Sequence, residues 1–319
     1  MSEKLVVGID IGGTTTKFGI VNASGNILEQ DRIRTDAHEN AEDFIEDLHK
    51  KLSPMINRYA TNATIAGIGM GAPNGNYYHG TIEYAANLKW KGIIPMADMV
   101  QKKFSLPVKL TNDANAAAVG EMMYGVAKGL NHFITITLGT GVGAGIVIDG
   151  KIVIGHDGFA GELGHTIIRP GGRMHKGTGI RGSLESYASA TGVRETAIEF
   201  LTEEPNSNSL LRNYSIDELT SETVFKCAEQ GDAVANHIFE FTGQILGEAL
   251  ANFVMFSSPE AIVLFGGLTK AGDLLLKPTI QAMEANLVQV FKNKVKVLFS
   301  NLQEADAAIL GASALVWDI

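Results

Sequence analysis

The sequence predicts an α/β protein made of two duplicated halves, and three observations predict it. Strand-like and helix-like patterns alternate along the chain. The 36 glycines cluster where strands end and turn. A strand–turn–strand unit near the start recurs near the middle. In that repeat Gly13, Thr14, Gly19, Ile20 and Val21 match Gly139, Thr140, Gly145, Ile146 and Val147 at a constant offset. Self-similarity at one place in a supersecondary unit is the mark of internal duplication.

The elements follow in order. "LVVGIDIGG" (5–13) is an apolar strand that ends in a tight turn. "TTTKFGIV" alternates β-branched and apolar residues, "NASGN" is a turn, and "ILEQDRIRT" is a third strand, so the opening reads as a β-meander. The next stretch places apolar residues near 44, 45, 48, 52, 55 and 56, the spacing of a helix. "ATIAGIGMG" and "LPVKLTND" are strands, and "DANAAAVGEMMYG" is a helix. "HFITITLGTGVGAGIVIDGKIV" (132–153) repeats the opening. The second half adds a long helix over "AVANHIFEFTGQILGEALANFVMF", a strand "EAIVLFGG" and a helix near 273–290. A strand "KVKVLFS" and a final helix "DAAILGASALVWD" close it. "TEEPNSNS" (202–209) is the one soft polar stretch and reads as a surface loop.

Composition bounds the function. A chain of 319 residues suits two domains, and 45% hydrophobic content supplies ample core. The net charge of −9 argues against nucleic acid or an anionic membrane as partner. No apolar run approaches the roughly 20 residues that span a bilayer, and the first strand pattern begins too early for a signal peptide. The single cysteine, Cys227, excludes an intrachain disulfide and lies in a helical pattern as a small buried hydrophobe. A cytoplasmic protein is expected.

Three glycine turns at strand ends carry the chemistry. "DIGGTTTK" (10–17) sets an acid at the end of a buried strand, followed by glycines, three hydroxyls and Lys17. Amides and hydroxyls would donate to a polyphosphate, the lysine would neutralise it, and Asp10 could hold magnesium. "LGTGVGAG" (138–145) and "LFGGLTKAG" (264–272) are the second and third turns. Each alone could be a plain hairpin. Three of them in a duplicated α/β chain favour nucleotide binding. No Walker sequence is present, and the one G-x-G-x-x-G, "GTGIRG" (177–182), follows no strand.

With these motifs in place the chain resembles the ROK sugar kinases, a family of the actin-like ATPase superfold, and within it the glucokinase-like members. "DIGGTTTK", "LTNDANAAAVGE", "LGTGVGAGI", "GELGH" and "GSLESYAS" fall in that family's order and spacing over nearly the whole chain. The resemblance implies two actin-like (ribonuclease H-like) lobes flanking a cleft, 1–117 with 305–319 and 118–304. It implies ATP-dependent transfer of phosphate to the 6-hydroxyl of a hexose, first of all D-glucose. An N-acetylhexosamine kinase is the close alternative and a sugar sensor without turnover the remoter one. The family's repressors carry a helix-turn-helix ahead of the kinase-like part, and here the first strand starts at the N-terminus.

The resemblance also implies roles. Asp113 matches the catalytic base, with a helix N-cap as its plain alternative. Gly71, Asn87, Asn112, Glu162, His165 and Glu185 match the sugar site. Asp10, Gly12, Gly13, Thr14, Thr15 and Lys17 match the first phosphate loop, with magnesium at Asp10 through water. Gly139, Thr140, Gly141, Gly266 and Gly267 match the phosphate and adenosine side. A homodimer or homotetramer is implied as well. A paired-carboxylate glycosidase reading of Glu162 and Glu185 leaves the phosphate loops and Asp113 without work.

Two departures stand out. The family's structural zinc uses the histidine of "GH" and three cysteines; His165 is kept, but the cysteine segment reads "HKGTGIRGS", with His175 and Ser183 near two of the vacant places. No structural zinc is therefore expected. The loop would instead be ordered by its glycines, by Arg173 and Arg181 on backbone carbonyls, and by Ser183 capping the helix that presents Glu185. In "GAPNG" Asn74 follows the proline where the family prefers glycine, which bears on preference among hexoses.

Overall fold

The computed structural model describes residues 3–203 and 207–317. The chain begins with β1 (Glu3–Ile11), β2 (Thr15–Asn22), β3 (Ile27–Arg34), α1 (Ala41–Ala60) and β4 (Ala63–Ala72). Three short strands follow, β5 (Gly75–Asn76), β6 (Thr81–Glu83) and β7 (Ile93–Ile94), then α2 (Met96–Phe104), β8 (Val108–Asn112) and α3 (Asp113–Tyr124). Next come β9 (Phe133–Leu138), β10 (Val142–Ile148), β11 (Lys151–Ile152), α4 (Glu185–Ala188), α5 (Ala190–Glu203) and α6 (Ser221–Glu229). The chain ends with α7 (Ala233–Ser257), β12 (Ala261–Phe265), α8 (Asp273–Asn286), β13 (Lys296–Phe299) and α9 (Glu304–Ala314).

The two large sheets have one topology. The first runs β3-β2-β1-β4-β8 and the second β11-β10-β9-β12-β13, so each repeats a meander followed by crossover strands. In the first, β1 pairs antiparallel with β2 and parallel with β4, which pairs parallel with β8. In the second, β12 lies parallel to both β9 and β13. The duplication predicted from the repeated turn is thus the duplication of a whole sheet order. Two compact units result, one of residues 1–131, 145–161 and 300–319, the other of 132–144 and 162–299.

Local sequence explains the elements that set up the first sheet. β1 buries Leu5, Val6, Val7 and Ile9 and is covered on both faces, which is why it reads as a continuous apolar run. Asn40 caps α1 by accepting from the Asp43 amide at 2.8 Å, and the helix buries Phe44, Ile45, Leu48, Leu52 and Met55 on one side. α9 lies close on the sheet because Gly8 and Gly69 present no side chain. A methyl group on either would meet the backbone oxygen of Ile309 or Ala312. Cys227 is buried in α6, and burial pushes its thiol pKa up. Part of the loop predicted over 202–209 (residues 204–206) lies outside the described residues. Among the described residues no helix is long and apolar enough to cross a membrane.

Candidate active site

The parallel strands β1, β4 and β8 bring two carboxylates together. Their register sets Asp10 beside Gly71 and Gly71 beside Thr111. β8 then gives way to α3, whose first residue is Asp113. A Cβ built on Gly71 would lie 3.7 Å from Asp10 Oδ1 and 3.6 Å from the Asp113 Cα. Gly71 therefore lies between the two acids. Asp10 also sits opposite Lys17 in the β1–β2 ladder.

The electrostatics follow from this crowding. Burial pushes the Asp10 pKa up to about 7, the charge of Asp113 adds to the rise, and Lys17 opposes it. Asp113 is exposed as a residue, while the protein packed about its carboxyl desolvates it. That desolvation raises its pKa, against the pull of the Ala114 amide. A carboxyl raised in this way is a better proton acceptor at neutral pH than an ordinary aspartate.

The cap of α3 belongs to the neighbouring residue. Asn112 Oδ1 accepts from the Ala114 amide at 2.8 Å in the N-cap position. Asp113 Oδ1 shares the same donor at 2.8 Å from within the helix. The N-cap alternative for Asp113 is thus taken by Asn112, which serves the helix and faces the same strand end.

The first glycine turn is more selective than its composition suggests. The Gly12 amide donates to the Thr15 carbonyl at 3.1 Å and closes the turn, so it is spent on the fold. Of the three hydroxyls, Thr16 faces the core, where its Oγ1 lies 2.8 Å from Thr35 Oγ1. Thr14 is exposed, and Thr15 and Lys17 are half-buried on the other face. Gly13 abuts Asn87: a Cβ on Gly13 would fall 2.8 Å from the Asn87 carbonyl oxygen and 3.5 Å from its Nδ2. The sequence placed Asn87 with the sugar and Gly13 with phosphate, and they prove to be neighbours.

In the second unit, the Gly139 amide closes the turn after β9 on the Gly141 carbonyl at 3.0 Å, as the Gly12 amide closes its counterpart. Thr140 at the tip is exposed. Ala190 N–H donates to the Gly139 carbonyl at 2.8 Å and Thr191 Oγ1 to the Thr140 carbonyl at 3.0 Å, so the start of α5 braces the turn. Gly266 has φ +108° and lies against the Leu138 carbonyl, where a Cβ would fall 2.6 Å from the oxygen. The third glycine turn, with exposed Gly267, is thereby held beside the second.

The acids of the glycine-rich segment 161–187 are arranged as two acid–histidine pairs. Exposed Glu162 and half-buried His165 lie 3.8 Å apart, Oε2 to Nε2. His165 Nδ1 is buried without a hydrogen-bond partner. Glu185 is held on both oxygens: its Oε2 accepts from the Val142 amide at 2.7 Å, and its Oε1 lies 3.0 Å from His175 Nε2. Gly141 lies directly against the same carboxylate. Sequence reasoning missed His175 as the partner of Glu185. The two lie in an irregular loop and a short helix, where no periodicity links them.

The loop 173–183 is ordered largely as anticipated. Met174 and Arg181 form an antiparallel bridge, as do Ile167 and Ser183. Arg173 donates to the carbonyls of Ser186 at 2.6 Å and Gly192 at 3.1 Å, and Arg181 to Gly172 at 3.4 Å. Ser183 departs from its expected role. Its hydroxyl pairs with the Ser186 hydroxyl at 2.8 Å, and α4 has no side-chain cap. Asn74 adopts φ +50°, and its amide donates to the Glu83 carbonyl at 2.9 Å, which commits that side chain to the small β5–β7 sheet. Among the described residues no three His, Cys, Asp or Glu side chains gather as a metal cluster would require.

Two sheets of one order, with acids and glycine turns at the ends of their strands, define a chain of the duplicated actin-like ATPase class. The model of the ROK family matches residues 6–319, and the chain belongs to that family. It is 37% identical to a glucokinase of Halalkalibacterium halodurans, over 99% of this chain and 96% of the relative. It is 31% identical to a glucokinase of Thermotoga maritima, over 99% and 98%. Its fold is similar to the crystal structure of a ROK family glucokinase from Streptomyces griseus in complex with glucose and AMPPNP. There the TM-score is 0.80 at 31% identity, covering 98% of each chain.

Proposed function

We propose that this protein phosphorylates D-glucose at the 6-hydroxyl with ATP, giving glucose 6-phosphate and ADP. The chain is an ATP-dependent sugar kinase. The observation that carries the reading is the pair Asp10 and Asp113, brought to either side of Gly71 beside a hydroxyl-bearing glycine turn. Family membership and the full-length likeness to glucokinases support the choice of glucose.

Asp113 is the general base. As the sugar oxygen bonds to the γ-phosphorus, the bond from that phosphorus to the β,γ-bridging oxygen breaks and ADP leaves. The hydroxyl proton passes to an Asp113 carboxylate oxygen. Asn87, Asn112, Glu162, His165 and Glu185 are ligands for the remaining hydroxyls, which need both donors and acceptors. The turns at Gly12, Gly13, Thr14, Thr15 and Lys17, at Gly139, Thr140 and Gly141, and at Gly266 and Gly267 take the nucleotide.

Asp10 fits a magnesium ion. It is an oxygen donor crowded by a second carboxylate, and magnesium is held by one or two carboxylates together with substrate phosphates. When bound, the ion neutralises charge on the phosphates. Asp10 then holds it, directly or through water, and Lys17 adds positive charge on the same strand pair. We place the protein in the cytoplasm as a homodimer or homotetramer with no nucleic-acid partner. The test is coupled ADP release with ATP over a panel of glucose, mannose, N-acetylglucosamine and N-acetylmannosamine. Highest kcat/KM on glucose supports the reading; highest kcat/KM on an N-acetylated sugar replaces it.

A further inference from the structure

We propose that His175 is a positioning residue for sugar binding, fixing the Glu185 carboxylate through a hydrogen bond from its Nε2–H. The proposal rests on the reading of Glu185 as a hydroxyl ligand. His175 Nε2 lies 3.0 Å from Glu185 Oε1.

The tautomer follows from the other ring nitrogen. The Thr178 amide donates to His175 Nδ1 at 3.2 Å, and Thr178 Oγ1 lies 2.9 Å from the same atom. An amide only donates, so Nδ1 carries no proton in this geometry. The neutral ring then bears its hydrogen on Nε2, pointed at the carboxylate. The backbone fixes the ring in place. The His175 amide donates to the Ile180 carbonyl and the Gly179 amide to the His175 carbonyl, both at 2.8 Å, around the Met174–Arg181 bridge.

Glu185 is held from both sides. Oε1 faces His175 and Oε2 accepts from Val142 N–H at 2.7 Å. Two tethers on two oxygens fix the rotation of the carboxylate plane, and each oxygen keeps a lone pair for a hydroxyl. A cavity of about 80 Å³ lined by His175, Glu185, Ser189 and Thr191 adjoins the pair. A ligand whose orientation is set by a neighbour binds with less loss of freedom.

The experiment compares His175→Leu, His175→Gln and Glu185→Gln in steady-state kinetics with glucose and ATP, with 15N NMR of histidine-labelled wild type. Gln carries an N–H donor near the place of Nε2; Leu carries none. The expected result is a glucose KM raised about tenfold in His175→Leu, the worth of a hydrogen bond to a charged group. ATP KM and kcat should change little, the pattern of lost uniform binding. His175→Gln should recover most of the loss, and the wild-type His175 ring should show a protonated Nε2 and an unprotonated Nδ1.

An unchanged glucose KM in His175→Leu, with Glu185→Gln still raising it, overturns the positioning role and leaves the role of Glu185 standing. No effect of Glu185→Gln overturns both. Equal loss on glucose and ATP, or His175→Gln no better than Leu, marks His175 as structural and overturns the proposal. A proton on Nδ1 overturns it as well, and that readout needs no variant to fold.

Discussion

Asp10 and Asp113 flank Gly71, and the burial of Asp10 beside a second acid raises its pKa to about 7. The sign of the resulting pH dependence is fixed. Below the ordinary value of 3.8, folded and unfolded chains both carry the proton. Between there and about 7 the unfolded chain releases it and the folded chain keeps it. Stability of the ligand-free protein should therefore fall as pH rises through this window and level off above it. Asp10→Asn should flatten the fall and raise stability at pH 8 by at most about 4 kcal/mol, with a higher melting temperature there. It should also cost turnover. Thermal melts of both proteins at pH 5 and pH 8 check this; parallel profiles would contradict it.

The division of labour between Asn112 and Asp113 gives a second expectation. Asp113→Asn should lower kcat by about 10²–10⁴-fold, the usual worth of a general base. It should leave the melting temperature the same or higher, because it removes a desolvated carboxyl and keeps an acceptor for the Ala114 amide. Asn112→Ala removes the N-cap and should lower stability by about 1 kcal/mol. Kinetics and melts on both variants separate the roles. A folded Asp113→Asn enzyme with near wild-type kcat would end the assignment of Asp113 as base.

How far the residues announced all this depends on the kind of signal. β1 to β4 were legible because buried runs and period-two alternation report burial directly, and the repeated turn disclosed the second sheet. β5, β6 and β7 were not legible: strands of two or three residues hold at most one and a half periods, too few to show alternation. Gly12 reads as an open amide by composition, but a hairpin needs one amide to close itself, and Gly12 supplies it. The inward turn of Thr16 was available in principle, since it alternates with Thr15 and Lys17 along β2. The His175–Glu185 contact was not, because a contact across an irregular loop leaves no periodic trace.

Glu162 is exposed and Glu185 is tethered, so equal substitutions should act differently. Glu162→Gln should raise glucose KM about tenfold, as loss of a charge-assisted bond implies, with an unchanged melting temperature. ATP KM should stay near wild type. Steady-state kinetics with each substrate varied in turn checks this. Equal rises in both KM values would make Glu162 a structural acid.

The loop 173–183 should hold its shape without zinc, and Arg173 is the reason. Its side chain is nine-tenths buried. It donates to two backbone carbonyls, to Thr196 Oγ1 at 3.0 Å, and to both Glu199 carboxylate oxygens at 2.8 and 2.5 Å. Its guanidinium also stacks over the Tyr187 ring at 4.6 Å from the centroid. A planar five-donor group suits this role, and a lysine would not. Arg173→Ala removes a donor from the Ser186 carbonyl and from half-exposed Glu199, while the Gly192 carbonyl keeps Thr196 Oγ1, and should cost about 2 kcal/mol. Exhaustive chelation, with magnesium restored, should leave both melting temperature and activity unchanged. A tetrahedral site would need four ligands of thiolate or imidazole type, and the only cysteine, Cys227, is buried in α6. Elemental analysis of the purified protein, run beside the melts, decides the matter. Stoichiometric zinc, or activity regained only on adding zinc, would mean that the loop is held by a metal and that Arg173 is secondary.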